Sequence, residues 1–347
     1  MDALRIAAVG DYFIGVDTFR RALEAELATP FSVTGTDLPW PDVPFHDRTG
    51  PAGPEIAEYS GRPEDIERYV ADAEVLLTHL APVTRGLLDK APKLRFIGLT
   101  RGSHTNVDMP AARERGITVA NVPGRNASAV AEFTVGAILS SVRRITTGHA
   151  GLAAGTWRGD LYRFDCTGDE LSDLTVGILG YSHIGQRVAR LLKPFGCRII
   201  VCDPFVGLNV YDAIDGVEQT DIDDMIARSD IVTLHARITP DTIGIISRQR
   251  IAAMKPGAVL VNTARGSLVD QPALVEALQS GHLGGAALDT FVVEPPEEND
   301  ALLRLPNVTL TPHIAGASRR VATYATEVLV KDLRRFVEGK PLANRCK

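Results

Sequence analysis

Three residues late in the chain have the types and the order for hydride chemistry on an anionic carbonyl compound: Arg265 in VNTARGSL, Glu294 in DTFVVEPP and His313 in LTPHIAGAS. A guanidinium is planar and offers paired donors, so it can bind a carboxylate and draw charge from a neighbouring carbonyl. An imidazole can supply the proton that the carbonyl oxygen needs when a hydride reaches carbon, and a carboxylate can orient that imidazole. Each residue alone has a plainer reading. An arginine after a strand is usually an ion-pair or surface residue, a histidine in a TPH turn a cap or core residue, and a glutamate before Pro295 a solvated one. The conjunction gains meaning from a nucleotide-binding signature upstream, and each of the three follows a short apolar run where an α/β fold ends a strand and places its chemistry.

That signature is TVGILGYSHIG. Its strand ends at Gly180, and the loop continues Tyr181-Ser182-His183-Ile184-Gly185 into the helical run QRVARLLKPF. In a dinucleotide site the first glycine makes the tight turn, the second admits the pyrophosphate and the third lets helix pack on strand. Ser182 stands where the second glycine belongs. Its hydroxyl can add a hydrogen bond to the pyrophosphate, or its bulk can push the dinucleotide outward; the first is expected. The amides of His183 and Ile184, at a helix N-terminus, would face the same phosphates. Asp203 ends the next strand, 18 residues beyond Gly185, and can take both ribose hydroxyls of the adenosine half. Pro204 to Gly207 contain no basic side chain for a 2′-phosphate, so NAD is favoured over NADP.

These residues need an α/β scaffold, and short β-rich apolar runs alternate with helical patterns throughout. Candidate strands lie at 5–10, 31–36, 74–80, 94–100 and 117–122, then at 175–180, 198–203, 230–236, 258–264, 284–290 and 307–313. The last six make a complete dinucleotide-binding sheet. The segment 126–145 opens on Asn126 as a good N-cap. Its apolar residues keep to no single stripe, which fits a connector between domains that also faces a second subunit, or equally a helix buried within one domain. The final helical run, RRVATYATEVLVKDLRRFVEG, is expected to cross back to the N-terminal domain. A Pro- and Gly-rich stretch, DLPWPDVPFHDRTGPAGP, reads as a surface loop.

Bulk properties narrow the class. With 347 residues the chain can hold two domains, and hence a cleft. A composition of 45% hydrophobic and 23% charged residues is that of a globular protein. The formal net charge of −6 and the lack of basic runs speak against nucleic acid. No stretch has the roughly 18 to 20 apolar residues of a membrane span, and the apolar run near the start is too short for a secretory leader. The four cysteines form no CxxC pair, so a reduced, cytoplasmic protein without a metal site is expected.

Together the motifs resemble the D-isomer-specific 2-hydroxyacid dehydrogenase family. The resemblance lies in NVD (106–108), NVPGRNASAVAE (121–132), the glycine loop, LH (234–235), VNTARGSLVD (261–270), ALDTFVVEP (287–295) and TPHIAG (311–316), and spans roughly residues 75–320. It implies two doubly wound parallel-sheet domains. A Rossmann NAD-binding domain would span 122–314, and a flavodoxin-like substrate domain would be built from 1–121 and 315–347, with a cleft between them. It implies that Arg265 binds the substrate carboxylate and polarises the carbonyl, that His313 is the general acid in reduction and the base in oxidation, and that Glu294 fixes the imidazole tautomer and favours its charged form. Asp289 and the backbone near Gly316 would hold the nicotinamide carboxamide, with Thr263, Ala264 and His235 beside the cofactor. For His235 a structural role is as good a reading, and His79, His104 and His149 receive no catalytic part.

The chain departs from the family where a glycine-rich GxGxDNVD run usually offers backbone amides to the substrate carboxylate. Here the run is Thr100-Arg101-Gly102-Ser103-His104-Thr105-Asn106-Val107-Asp108. Gly102 and Ser103 can still present amides, while Arg101 and His104 add donors and positive charge. A sugar-derived or phosphorylated 2-hydroxy acid is therefore expected as substrate, the alternative being Arg101 held in a local ion pair. Arg237 in LHARIT and Phe133 after Ala-Glu are further departures able to retune the site. The loop GTWRGDLYRFD (155–165) can close over the cleft, cross to a neighbouring subunit or simply pack at the surface. A homodimer is expected. Two other functions share the pattern: a formate- or phosphite-type dehydrogenase, and a corepressor-like protein that senses NADH.

Overall fold

The computed structural model describes residues 3–346. The chain forms two compact units, Met1–Arg125 with Ser318–Lys347, and Asn126–Ala317.

The first unit is a five-stranded parallel sheet of β1 (Leu4–Asp11), β2 (Phe31–Leu38), β3 (Val75–Thr78), β4 (Phe96–Leu99) and β5 (Thr118–Ala120), in the order β2-β1-β3-β4-β5. The inner strands β3 and β4 are buried at every position, which is why they read as unbroken apolar runs. The edge strand β2 lies largely outside the core and carries Ser32, Thr34, Thr36 and Asp37 among its apolar residues. One face of the sheet is covered by the helices Val16–Glu26 and Arg319–Val337, through Phe19, Leu23, Leu329 and Leu333. The second of these helices buries Val321, Ala322, Ala325, Leu329, Val330 and Leu333, a stripe at helical spacing, so the last long helix of the chain completes the first sheet. The other face packs Ile66, Val70, Leu87, Leu88 and Ala111. Strand order reverses between β1 and β3, which marks this sheet's switch point.

The second unit is a seven-stranded parallel sheet: β6 (Thr175–Leu179), β7 (Arg198–Cys202), β8 (Glu218–Gln219), β9 (Ile231–Leu234), β10 (Val259–Asn262), β11 (Gly285–Leu288) and β12 (Val308–Leu310), in the order β12-β11-β10-β9-β6-β7-β8. Six strands were expected. The seventh, β8, is two exposed polar residues at an edge and carries no apolar pattern to read. The helix Ala127–Val142 packs on the helix Gly185–Leu192 and on β10, β11 and β12, which accounts for apolar residues around its circumference. Two details of that segment differ from expectation. Asn126 occupies the N-cap position, but its side chain accepts no bond from the first turn. Its amide lies instead where a Cβ on Gly316 would come within 2.6 Å. The run also breaks after Val142, with Arg144 in the left-handed region at φ +57° before a second helix, Ile145–Ala153.

Among the described residues no helix is long and apolar enough to cross a membrane, and no cluster of His, Cys, Asp or Glu is arranged to hold a metal ion.

Candidate active site

β10, β11 and β12 are neighbours in the sheet, so the loops that leave their C-terminal ends emerge side by side. Those loops carry Arg265, Glu294 and His313. His313 Nδ1 lies 2.8 Å from Glu294 Oε2, and Glu294 Oε1 accepts the Phe291 N–H at 3.0 Å. Burial works against ionisation of Glu294, but the bonds from His313 and Phe291 and the charges of His313 and Arg265 prevail and hold its carboxyl below the ordinary range. An anionic Glu294 takes the proton on Nδ1 as its donor, leaving Nε2 of the part-exposed ring for an outside oxygen.

His313 has φ +55°, a left-handed conformation that costs an L-residue roughly 1–2 kcal/mol. The loop is held there by Asp289, which ends β11's extension and is 1% exposed. Its Oδ1 accepts Thr311 Oγ1 at 2.6 Å and the Ile314 N–H at 2.9 Å, and its Oδ2 accepts the Ala315 N–H at 2.8 Å. Asp289, expected beside the nicotinamide, thus commits most of its acceptor capacity to the histidine loop. Asn262 does the same for the arginine loop: its Oδ1 accepts the Ala264 N–H at 3.0 Å and its Nδ2 donates to Arg265 O at 2.8 Å. Arg265 itself is exposed, with Nη1 donating to Ala264 O at 2.8 Å. Gly266 joins two of the loops, since a Cβ there would fall 2.0 Å from the Phe291 carbonyl carbon. Asn262 and Gly266 are positions that the motifs alone do not single out; an amide at a strand end followed by a glycine was the available signal.

The glycine loop has the geometry that a dinucleotide requires. Gly180 has φ +94°, and a Cβ there would lie 2.6 Å from the His235 carbonyl carbon. A Cβ on Gly185 would lie 2.1 Å from Gly180 O, so the helix Gly185–Leu192 packs against the turn as closely as glycine allows. Ser182 is half-buried and His183 exposed, with Ile184 at the N-cap of that helix. Asp203 is fixed at the end of β7: Oδ2 accepts the Tyr181 N–H at 2.7 Å, and Oδ1 accepts those of Phe205 and Val206 at 2.9 and 3.1 Å. Thr263 Oγ1 sits 2.9 Å from Thr134 Oγ1, both buried. His235 Nε2 lies 3.1 Å from Thr233 Oγ1, and burial pushes its pKa down to about 3, so the ring is neutral. Its Nδ1 has no partner among the described residues. These cradles fit a dinucleotide.

In the first unit, Arg101 adopts the ion-pair alternative. Its guanidinium donates to both the backbone oxygen and the carboxylate of Glu58, 43 positions earlier and itself at φ +54°. Ser103 Oγ and Thr105 Oγ1 lie 3.5 and 3.3 Å from the same carboxylate oxygen. Gly102 is exposed, and its carbonyl accepts Asn121 Nδ2 at 2.9 Å. His79, set aside in the sequence, is buried between Asp11 and Arg125.

Residues 135–315 match the family model described as D-isomer specific 2-hydroxyacid dehydrogenase, NAD binding domain. The chain is 39% identical over 283 residues to D-3-phosphoglycerate dehydrogenase of Methanocaldococcus jannaschii, a match covering 81% of this chain and 53% of that one. It therefore spans about half the length of that relative. A glyoxylate reductase of Thermofilum pendens is 37% identical over 278 residues, 80% of this chain and 82% of its own. Among solved structures, a protein of Thermus thermophilus superposes with a TM-score of 0.79 at 30% identity, covering 99% of this chain and all of that one. With a domain match over half its length and full-length agreement in fold, the chain belongs to the D-isomer specific 2-hydroxyacid dehydrogenases, a family of NAD-binding oxidoreductases.

Proposed function

We propose that this protein interconverts a 2-oxo acid and the corresponding D-2-hydroxy acid, with a polar side chain on the substrate. The observation that carries the reading is the 2.8 Å pair of His313 and Glu294 beside the loop of Arg265. NAD supplies or accepts the hydride at C2. In reduction, Arg265 binds the substrate carboxylate and withdraws charge from the carbonyl, and His313 donates the Nε2 proton to the oxygen as it becomes a hydroxyl. Glu294, ionised, accepts the Nδ1 proton and keeps the ring in one orientation throughout. In oxidation His313 takes the proton back.

The amides of Gly102 and Ser103 are assigned to the carboxylate, and Arg101, paired with Glu58, to holding that loop. Asp203 takes the adenosine ribose; Gly180, Gly185 and the amides around Ser182, His183 and Ile184 take the pyrophosphate. Thr263, Ala264, His235, Gly316 and the remaining acceptor site of Asp289 Oδ2 are assigned to the nicotinamide side. Four cysteines, none in a disulfide, support a cytoplasmic setting. Exposed aromatic residues between 157 and 164 support a homodimer.

The test is the loss of NADH absorbance with a panel of 2-oxo acids, repeated with Arg265→Ala. At least one 2-oxo acid is consumed, and the variant's kcat/KM falls by roughly 100-fold or more, as for loss of a charged transition-state donor. No consumption of any 2-oxo acid, or a variant equal to wild type, refutes the reading.

A further inference from the structure

At the C-terminal edge of its own sheet, the first unit holds a buried chain of ionisable residues that the roles above leave unused. Asp11 ends β1 and His79 follows β3, the two strands that flank the switch point, where open α/β sheets receive ligands. Asp11 Oδ1 accepts the N–H groups of Phe13 and Ile14 at 2.9 Å each, and Oδ2 lies 2.7 Å from His79 Nδ1. His79 Nε2 lies 3.0 Å from Arg125 Nη2. A guanidinium only donates, so Nε2 is the acceptor and Nδ1 carries the proton toward Asp11. The ring is 3% exposed, and burial outweighs the aid of Asp11 and lowers its pKa to about 4, so it is neutral.

Arg125 therefore ends on a neutral partner. Its hydrogen bonds connect it to Asp11 only by way of His79, although the Asp11 charge still favours the cation, and its buried Nη1 has no hydrogen-bond partner among the described residues. Its guanidinium carbon also lies 5.8 Å over the Phe13 ring, which packs against His79 at 5.6 Å. Burial, reinforced by the like charge of Arg101, lowers its pKa to about 10, which leaves it cationic near neutrality. A rigidly held cation with a buried donor to spare and no ion pair with a carboxylate among the described residues suits an anion brought from outside.

We propose that Arg125 is a specificity-determining residue that binds an oxyanion, carboxylate or phosphate, on the side chain of the 2-oxo acid, with His79 and Asp11 as positioning residues behind it. This deepens the functional reading above and rests on it.

The experiment compares kcat/KM for 2-oxoglutarate and 3-phosphohydroxypyruvate, which carry the two oxyanions, with that for 2-oxobutyrate and glyoxylate, which carry none. Wild type prefers one of the first pair over 2-oxobutyrate by at least about tenfold, and which one identifies the oxyanion. Arg125→Met lowers the ratio of that substrate to glyoxylate roughly 10- to 100-fold, chiefly through KM, and Arg125→Lys restores part of it. An unchanged ratio in Arg125→Met overturns the proposal, as does a wild type that favours 2-oxobutyrate. Should wild type consume no 2-oxo acid at all, the reaction assigned above falls and this proposal with it, whereas failure of Arg125 alone leaves glyoxylate turnover in place.

Discussion

Glu294 and His313 form one unit, because the carboxylate accepts the Nδ1 proton and so sets the tautomer and orientation of the ring it touches. Glu294→Gln keeps the acceptor and removes the charge. The ring then keeps a hydrogen bond but loses its charged partner, so kcat/KM for reduction should fall roughly tenfold or more. A variant with wild-type kcat/KM would show that the charge of Glu294 has no part in the reaction. His79 gives a second test, of stability instead of turnover. Folded, it binds its proton only near pH 4, against 6.5 for the ordinary group, so between those values the unfolded chain holds more protons than the folded one. Stability is therefore full above about pH 6.5 and is lost as pH falls toward 4, by up to about 3 kcal/mol. His79→Asn should flatten that slope in urea-unfolding midpoints measured across the same window. Equal slopes in variant and wild type would remove His79 from the titrating set.

Loops do the positioning, and their tolerances are visible at two glycines, Gly180 and Gly266. Gly266→Ala would place a Cβ 2.0 Å from the Phe291 carbonyl carbon, so the loops of Arg265 and Glu294 must separate. The expected result is a loss of more than about 2 kcal/mol in stability together with a fall in kcat/KM that exceeds any loss of NADH affinity, read by thermal melts and fluorescence titration. A variant with wild-type activity would mean that the loop spacing is not critical. What the sequence made legible at this scale follows from burial. The inner strands, VLLT, FIGL, TVGIL and VLVN, are buried on both faces and so announce themselves as apolar runs, and the loops carrying Arg265, Glu294 and His313 could be found by locating their ends. β8 had no such mark, being polar and exposed, and Asn126 had the composition of a cap without making its bond. Pairings between distant positions were hidden for another reason. Arg101 with Glu58, and Asp11 with His79 and Arg125, meet only because the order of parallel strands brings their ends together, and no local pattern encodes that order.

Across the molecule, the division into two units separates two kinds of task. The loops of Arg265, Glu294 and His313 and the dinucleotide cradle all belong to Asn126–Ala317, whereas the Arg101 loop and the Asp11, His79 and Arg125 chain belong to the other unit. The roles proposed above thus assign the reaction type to one sheet and the choice of side chain to the other. The segment that follows the helix Ala127–Val142 is given neither task in the proposed reading. The helix Ile145–Ala153 has no buried residue, Ile145 and Leu152 are exposed, and Trp157, Tyr162 and Phe164 are 83%, 95% and 98% exposed. Large aromatic residues on one short stretch are costly to leave in water and are enriched at interfaces between chains. A second copy of the chain offers the same stretch in return, so a two-fold arrangement covers both at once. Light scattering at micromolar concentration should therefore give twice the 37.3 kDa chain mass. The double substitution Tyr162→Ser with Phe164→Ser should shift the population toward monomer while NADH still binds, because the dinucleotide cradle lies on other elements. A wild-type protein that runs as a monomer would leave this stretch without the assigned partner, and a dimer that survives both substitutions would place the interface on another face.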